Sequence, residues 1–459
     1  GYTEQSSNVS FATNSRGVEA VFESLDASGD KVVFSAADNK IYSGLDFSSD
    51  ITPAGSTPAI SANNWKIVSF NNHTYFYQRE HEPLIYTDSS GSGVLAKHSS
   101  FSGATTPPQA NEVIGAYGRL WAADTTTNTK TVYWSDTLQG HKWSGGTAGS
   151  LDLTTVFPTG HDEVVALSAH NGFLIIFCKR CIIIYSGAES PASMVLHDTV
   201  EGVGCIARDS VQHTGTDILF LSEDGVRSFS RTIQEKSMPM RDISNNVRTE
   251  LTTLVRQQVN PIKSIYSADE AFYLLSLQDS QTIYCFDMRG TLPDGANRVT
   301  TWAGVNPRSL AILQDGSLYF GRENGIFKYG EYLDDGSTYQ MLYYSNPLNF
   351  GNSTNLKFLK KFNITVIGNV SAQTTLAWGY DYDGGFTKKN FSTELANTPI
   401  SEYNVAEFSI GQFTIGTDIQ RPKINTSGSG TVVTIGIEST INGAPYSIQQ
   451  IDVHALLGR

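Results

Sequence analysis

The strongest constraint on this chain of 459 residues is a strand-rich unit that recurs about every 48 residues. Each unit has an apolar strand, a tight turn, a second apolar strand, a short polar turn, and a third strand ending near an aromatic residue. The third-strand endings lie at residues 41–44, 85–88, 132–136, 184–187, 226–229, 283–287 and 326–330. A strand-rich period of roughly 40–50 residues is typical of the blades of a β-propeller.

These repeats predict an all-β protein that contains a β-propeller of about seven blade-like units. One blade cannot bury both faces of its sheet by itself, whereas radial stacking buries both faces and leaves only short edges. The tight turns contain the residues that two-residue hairpins require, as in Asn71-Asn72, Asn171-Gly172 and Asp315-Gly316. A row of β-sandwiches with accidental spacing is the alternative, and seven matching strand endings argue against it.

We expect three parts along the chain. They are an N-terminal arm (residues 1–15), the propeller (residues 16–335) and a C-terminal β-sandwich domain (residues 336–459). In the last part, alternating apolar and polar residues predict strands at 357–367, 374–382, 386–392, 405–413, 431–438 and 446–453.

One inserted segment departs from the β pattern and is locally basic. A helix near 243–257 is predicted, because apolar residues have helical spacing at positions 243, 247, 251, 254 and 255. The basic residues around it form a candidate protein-interface cluster of Arg227, Arg231, Lys236, Arg241, Arg248 and Arg256. Such a cluster can contact phosphate or a neighbouring subunit. The alternative is a solvated helix face with long side chains.

The charge distribution argues against a surface that grips nucleic acid. The chain has 32 basic and 45 acidic residues, and its formal net charge is −13. Residues 336–459 contain as many basic as acidic residues, so the whole acidic excess lies in residues 1–335. An average field of this sign repels DNA. No apolar run reaches the length of a membrane-spanning helix, so no membrane span is expected.

No sequence pattern indicates a catalytic, cofactor or metal site, and we expect no enzyme activity. There is no Gly-Lys dipeptide and therefore no phosphate-binding Walker loop. The nine histidines do not have the spacing of metal-ligand pairs. The acidic residues offer many carboxylate pairs, and none stands out as a pair for glycoside hydrolysis.

Cys178 and Cys181 form a CxxC pattern among the four cysteines. Zinc or redox chemistry is one interpretation of this pattern. No second CxxC or Cys/His pair accompanies it, and its flanks are two apolar strands around a Lys-Arg turn. We therefore predict two buried, reduced thiols without metal, whose side chains need not converge. The run His161-Asp162-Glu163 is interpreted as a solvated turn.

Several stretches carry a resemblance to a known family. The most specific is 202–207 (GVGCIA), followed by 218–222 (ILFLS), 225–228 (GVRS) and the predicted helix. Earlier stretches are 65–72 (WKIVSFNN) with 83–86 (PLIY), and 118–121 (GRLW) with 132–136 (VYWSD). Together with Lys360-Lys361 and the ending Leu457-Gly458-Arg459, they resemble the tail nozzle, or packaged-DNA stabilisation, proteins of short-tailed bacteriophages (tail tubular protein B).

The resemblance covers most of the chain and implies a structural virion protein of the phage tail, assembled in the host cytoplasm and without a cofactor. It implies a homohexameric ring that continues the DNA channel below the adaptor and portal. Tail needle, plug or fibre proteins are implied as further partners. Genomic double-stranded DNA is expected to pass through without tight binding, so that the ring helps to retain the genome and to pass it at ejection.

A second hypothesis belongs to another class of function. It is a glycan-binding or glycan-cleaving, sialidase-like β-propeller. That function requires a cleft with an Arg/Tyr/Glu cluster or two carboxylates.

Overall fold

The computed structural model describes residues 1–6, 17–25, 29–53, 64–88, 93–235, 242–368, 372–393 and 418–458. Its regular structure is almost entirely β-strand, as the repeats predict. The chain divides into two compact units, Glu4–Lys328 and Gly1–Thr3 with Tyr329–Arg459. The division falls a few residues before the predicted boundary at 335/336. Most of the predicted N-terminal arm lies outside the described residues.

The first unit is built from seven β-sheets among the residues that the structure describes. The short strand β1 (Tyr2–Glu4) precedes them and pairs within the last sheet. Blade 1 contains β2 (Val18–Leu25), β3 (Lys31–Ala37), β4 (Lys40–Ser43) and β5 (Ser49–Asp50), and blade 2 contains β6 (Lys66–Phe70), β7 (His73–Tyr77), β8 (Leu84–Thr87) and β9 (Val94–Lys97). Blade 3 contains β10 (Ala110–Ala116), β11 (Arg119–Thr125), β12 (Thr131–Trp134) and β13 (Gly149–Asp152). Blade 4 contains β14 (Val164–His170), β15 (Phe173–Cys178), β16 (Cys181–Ser186) and β17 (Val195–Glu201). Blade 5 contains β18 (Gln212–His213), β19 (Ile218–Ser222) and β20 (Gly225–Ser228). Blade 6 contains β21 (Lys263–Ser267), β22 (Phe272–Leu277), β23 (Thr282–Thr291) and β24 (Asn297–Ala303), and blade 7 contains β25 (Ser309–Ile312), β26 (Leu318–Gly321) and β27 (Ile326–Tyr329).

Contacts between the first strands of neighbouring blades and one short 3-10 helix form a closed circuit. The contacting pairs are β2 with β6, β6 with β10, β10 with β14, β18 with β21, β21 with β25, and β25 with β2. Between blades 4 and 6 the one-turn 3-10 helix Arg208–Ser210 contacts both β14 and β21. The seven sheets therefore form a seven-bladed propeller. Each predicted third-strand ending lies on the third strand of its blade, so the predicted repeat is confirmed.

Local turn chemistry and apolar packing explain why these residues form blades. Asn71 and Asn72 both have positive φ angles, as do Asn171 and Gly172. Two-residue hairpin turns of type I′ require this conformation at both central positions. Between blades 1 and 2, the ring of Phe34 lies edge-on to Phe76, with the centroids 5.2 Å apart. The apolar blade faces are therefore buried against each other.

Hydrogen bonds between residues far apart in the sequence close the ring between blade 7 and blade 1. The backbone N–H of Val18 donates to the carbonyl of Arg322 at 2.9 Å. The hydroxyl of Ser309 donates to the carbonyl of Val18 at 2.9 Å. The chain start also extends blade 7, where the N–H of Gln5 donates to the carbonyl of Ile326 at 2.8 Å.

Helix α1 (Phe229–Glu235), which the sequence analysis does not predict, follows blade 5. Its start is held by Asp217, whose Oδ1 accepts the N–H of Ser230 at 2.9 Å. The other carboxylate oxygen of Asp217 accepts the hydroxyl of Ser228. Asp217 lies in the loop just before β19. Ser228 also caps the helix locally, because its hydroxyl accepts the N–H of Arg231 at 3.3 Å. Further one-turn 3-10 helices lie at His98–Ser100 and Pro191–Ser193.

The inserted helix is shorter than predicted. Helix α2 (Arg248–Arg256) lies within the predicted 243–257, but residues 243–247 form turns. The carbonyl of Ile243 accepts the N–H of Asn297 at 3.0 Å, so its hydrogen bond goes to the strand β24 and not to a helical turn. The predicted apolar face is confirmed, since Leu251 and Val255 are buried together with Ile243.

In its described residues, the C-terminal unit is a β-sandwich of two sheets, as predicted. Its strands are β28 (Tyr339–Tyr344), β29 (Lys357–Gly368), β30 (Ala372–Tyr380), β31 (Thr387–Thr393), β32 (Asp418–Gln420), β33 (Lys423–Asn425), β34 (Ser429–Gly430), β35 (Val433–Ile441) and β36 (Tyr446–Leu457). One sheet has the order β28-β35-β30-β31, and the other is built around β29. Phe362 of β29 and Trp378 of β30 meet in the shared core, with ring centroids 6.3 Å apart. The predicted strand 405–413 lies outside the described residues.

We predict that Gly321→Ala destabilises the propeller by about 1–3 kcal/mol, because overpacking at a rigid contact has that cost. A Cβ at Gly321 would lie 2.6 Å from the carbonyl oxygen of Val18 and 2.4 Å from the hydroxyl of Ser309. The measurement is the urea midpoint of unfolding, followed by tryptophan fluorescence. Gly290→Ala is the matched control, because a Cβ there meets nothing within 4 Å. Equal urea midpoints for the two variants would contradict the close packing of blade 7 against blade 1.

Candidate functional site

A polar cavity of about 680 Å³ lies among the inner strands of the propeller. Its wall combines residues from blades 2 to 6, among them Asn64, Asn111, Glu163 and Asp209. Beside it lies a group of charged and amide side chains that we call the inner cluster. The inner cluster consists of Asn64, Lys66, Asn111, Glu112, Arg208, Asp209 and Lys263.

Arg208 is the centre of the inner cluster and is almost fully buried. One terminal nitrogen, Nη1, donates to the side-chain oxygen of Asn111 at 3.0 Å and to its backbone carbonyl. The other, Nη2, donates to Asn64 Oδ1 at 2.7 Å and to the carbonyl of Trp65 at 3.0 Å. Nε and Nη2 also bind the two carboxylate oxygens of Asp209, at 2.8 and 2.9 Å. One guanidinium thus connects residues of blades 2, 3 and 5.

Asp209 extends the connection to blade 6. Its Oδ2 lies 2.8 Å from Nζ of Lys263, the first residue of β21. Nζ of Lys263 also donates to Oδ1 of Asn64. Burial opposes ionisation of Asp209, but the adjacent charges of Arg208 and Lys263 outweigh it and hold the pKa of its carboxyl far below the usual range. The Arg208–Asp209–Lys263 group is therefore a largely buried network of charged side chains.

Glu112 connects blades 2, 3 and 4. Its Oε2 lies 3.0 Å from Nζ of Lys66 and 3.8 Å from Nε of Arg208. Its Oε1 accepts the backbone N–H of Leu167 at 3.3 Å. Burial raises the pKa of Glu112, and the cations of Lys66 and Arg208 oppose that rise. The buried carboxylate of Glu112 is therefore stabilised by the positive charges of Lys66 and Arg208.

The segment before Arg208 is positioned by close backbone contacts. A Cβ at Gly204 would lie 2.2 Å from the carbonyl oxygen of Lys179, so only glycine fits there. The N–H of Cys205 donates to the carbonyl of Cys178 at 2.8 Å. Ser210 then closes the short helix, because its hydroxyl donates to the carbonyl of Ala207 at 2.6 Å.

The charged residues at the wall of the cavity are also paired. Arg79 forms an ion pair with Asp124, and Asn111 Nδ2 donates to the other carboxylate oxygen of Asp124 at 2.8 Å. Lys179 forms an ion pair with Glu163. The pair of Arg79 and Asp124 joins blades 2 and 3, whereas Glu163 and Lys179 lie within blade 4.

Arg227 of the predicted basic cluster is buried, and its side chain is 1% exposed. Its Nε donates to the hydroxyl of Ser222 at 2.9 Å. Its Nη2 lies 3.1 Å from Asp224, and its Nη1 lies 3.5 Å from Asp242. Arg248 lies 3.7 Å from the same two carboxylates. The structure thus brings Arg227 and Arg248 together, and it leaves Arg227 inaccessible to a partner.

The other members of the basic cluster are placed differently. Arg231 is partly exposed and donates from Nη1 to the carbonyl of Gly295 at 3.2 Å. Arg256 is exposed at the end of α2. Lys236 and Arg241 lie outside the described residues. A role in a protein interface stays a prediction for Arg231, Lys236, Arg241, Arg248 and Arg256.

No sequence motif marks Arg208, Asp209 or Glu112 as functional residues. A usable signal for the inner cluster is a lysine at the start of the first strand of a blade. Lys66 begins β6 between Trp65 and Ile67, and Lys263 begins β21 directly after Ile262. Within the part of the chain that the structure describes, no helix has the length and apolar character that would span a membrane.

We predict that Arg208→Met lowers the free energy of unfolding by about 3–5 kcal/mol, because removing one partner of a buried charge network is strongly destabilising. Asp209 and Glu112 would each lose the guanidinium and keep one cation, Lys263 and Lys66 respectively. Unfolding in urea, followed by circular dichroism, measures the change. Arg289→Met is the matched control, since Arg289 pairs with Asp287 at 2.9 Å but is 74% exposed, and exposed pairs contribute little. A similar loss in both variants would show that the inner cluster does not stabilise the fold.

The comparisons with known proteins find solved structures of low similarity and assign the chain to no family. No family model and no curated protein matches the chain. The extracellular domain of a one-component system from B. thetaiotaomicron is 11% identical with a TM-score of 0.46, covering 78% of this chain and 43% of that one. PorZ, a surface component of the type-IX secretion system of Porphyromonas gingivalis, is 12% identical with a TM-score of 0.36, covering 85% and 46%. The WD40 propeller domain of Doa1 is 10% identical with a TM-score of 0.33, covering 58% and 92%. The chain spans less than half the length of the first two, and likenesses of this size carry no inference about function.

Proposed function

We propose that the protein is a structural tail nozzle component of a short-tailed bacteriophage. In this proposal six copies form a ring that continues the DNA channel below the adaptor and portal. The ring helps to retain the packaged genome and passes it at ejection. The observation that carries the proposal is that the stretches resembling the nozzle family build the internal framework of the propeller.

Two of these stretches illustrate the point. The run 202–207 leads directly into Arg208, and its Gly204 fits against the backbone of Lys179. The run 225–228 contains Arg227, which is buried between two carboxylates. Residues that serve as internal framework suit a rigid ring subunit, whose task is to keep its shape while DNA moves past it.

The electrostatics favour passage of DNA over binding. The charged groups around the propeller cavity are paired with one another, so they leave little cationic surface for phosphate. The acidic excess of residues 1–335 adds repulsion on average. In the proposed ring the channel wall is therefore acidic or neutral, and retention of DNA is steric, from a narrow gate or a plug protein.

An exposed apolar patch on the C-terminal unit offers a contact between copies. Phe358 of β29 is directly opposite Leu456 of β36, and the two side chains are 38% and 58% exposed. Leu356 lies at the same end of these strands and is exposed as well. Apolar patches of this kind mark protein–protein interaction sites. We assign this patch to the contact with the next copy in the ring.

The test of the proposed function is the copy number of the protein in particles of the phage that encodes it. We expect six or twelve copies per tail, counted by cryo-electron microscopy. The double variant Phe358→Ser/Leu456→Ser is expected to reduce incorporation, because it removes the apolar contact while the folded subunit keeps its stability. Val195→Ser/Leu196→Ser is the matched control, since this exposed pair lies on β17 in the propeller. Another copy number, or absence from the tail, would contradict the proposal.

We also predict weak binding to duplex DNA by the isolated protein. Each phosphate contact made by Lys or Arg would add counterion-release free energy and a salt slope near −0.9. The paired cations and the net charge of −13 leave few such contacts. Filter binding at about physiological salt is expected to give a dissociation constant no tighter than the roughly 10⁻⁴–10⁻⁶ M of non-specific binding. Tighter binding would show that the wall holds DNA electrostatically.

A further inference from the structure

Two sequence interpretations are wrong at the same place, the hairpin between β15 and β16. Phe177 pairs with Ile182, so Cys178 and Cys181 come next and lie opposite each other across the two-residue turn. Side chains opposite each other on antiparallel strands lie on the same face. The expectation that the two thiols need not converge is therefore incorrect. Their predicted burial is confirmed.

Asp162 completes the arrangement and is not the solvated residue that the sequence suggested. Its side chain is buried, because the hairpin tip folds over it. Its Oδ2 accepts the backbone N–H of Arg180 at 3.0 Å, and its Oδ1 accepts the N–H of Glu163 at 2.8 Å. These two bonds fix the carboxylate beside the thiols and leave further lone pairs on both oxygens.

We propose that Asp162, Cys178 and Cys181 form a binding site for a thiophilic divalent cation such as zinc. One ligand atom from each residue lies within 4.8 Å of the other two, and all three side chains are buried. Two sulfurs and one carboxylate oxygen are zinc ligands, and tetrahedral zinc needs one more. Sulfur ligands favour zinc over magnesium or calcium, which take oxygen ligands. A water molecule is the fourth ligand in this proposal.

Binding is a balanced exchange of protons for metal. Each thiol loses its proton to solvent, and the two thiolates and the carboxylate then donate electron pairs to the cation. The side chains of Lys179 and Arg180, in the turn between the two cysteines, are exposed. Backbone N–H groups that orient a ligating carboxylate are the kind of surrounding contact on which metal affinity depends.

The other two cysteines serve as internal controls. Cys205 donates its S–H to the carbonyl of Ala207 at 3.2 Å. Cys285 lies on β23, in another blade, and is partly exposed. Neither belongs to the group of three ligands.

The test is titration of the reduced, metal-free full chain with cobalt(II), which reports thiolate ligands by a sulfur-to-metal charge-transfer band. We expect one equivalent to bind, and zinc to displace it. Cys181→Ser should abolish the band, Asp162→Asn should weaken binding because it removes a carboxylate ligand, and Cys285→Ser should leave the band unchanged. Absence of the band in the wild type, or its persistence in Cys181→Ser, would overturn the proposal.

A second measurement keeps the proposal testable if a variant fails to fold. Zinc added to the reduced wild-type chain should raise its unfolding midpoint, since a ligand that binds the folded state stabilises it. Magnesium at the same concentration should not raise it. Equal midpoints with zinc and with magnesium would count against the site. Neither experiment depends on the proposed role in a phage tail.

Discussion

The propeller depends on one buried guanidinium, that of Arg208. Apolar packing between blades is non-directional, so by itself it does not fix how each blade is placed along the axis. The planar guanidinium does, because its donors point in fixed directions and meet Asn64, Asn111 and Asp209 from different blades. Asp209 forms a second ion pair with Lys263 of blade 6, and Glu112 forms one with Lys66 of blade 2. Blades that are distant in the sequence are thereby held in one arrangement.

The fold could be predicted from the sequence because its signals are local. A hairpin turn such as Asn171-Gly172 has its conformational requirement within two residues, and both have positive φ angles as expected. A third-strand ending such as 184–187 likewise marks its blade without reference to any other. Seven repetitions of this local signal are enough to predict the number of blades. The sandwich followed from strand alternation for the same reason.

The inner cluster could not be predicted, because its partners are far away in the chain. Arg208 and Asn64 are 144 residues apart, so no spacing rule connects them. The same reason explains the error at Asp162, whose charge pattern looks solvated until the hairpin tip of β15 and β16 covers it. Helix α1 is held locally by Ser228 and by Asp217, which lies in the loop before β19. Local patterns specify strands, whereas long-range contacts decide which polar residues are buried.

The proposed metal site and the inner cluster are joined through the backbone. The carbonyl of Cys178 accepts the N–H of Cys205, three residues before Arg208. Gly204 lies against the carbonyl of Lys179, in the turn between the two proposed cysteine ligands. A cation bound by both cysteines would fix the hairpin on which the segment before Arg208 rests. The metal would then stabilise the placement of the guanidinium as well as the hairpin, and its effect would extend from blade 4 to the blades that Arg208 connects.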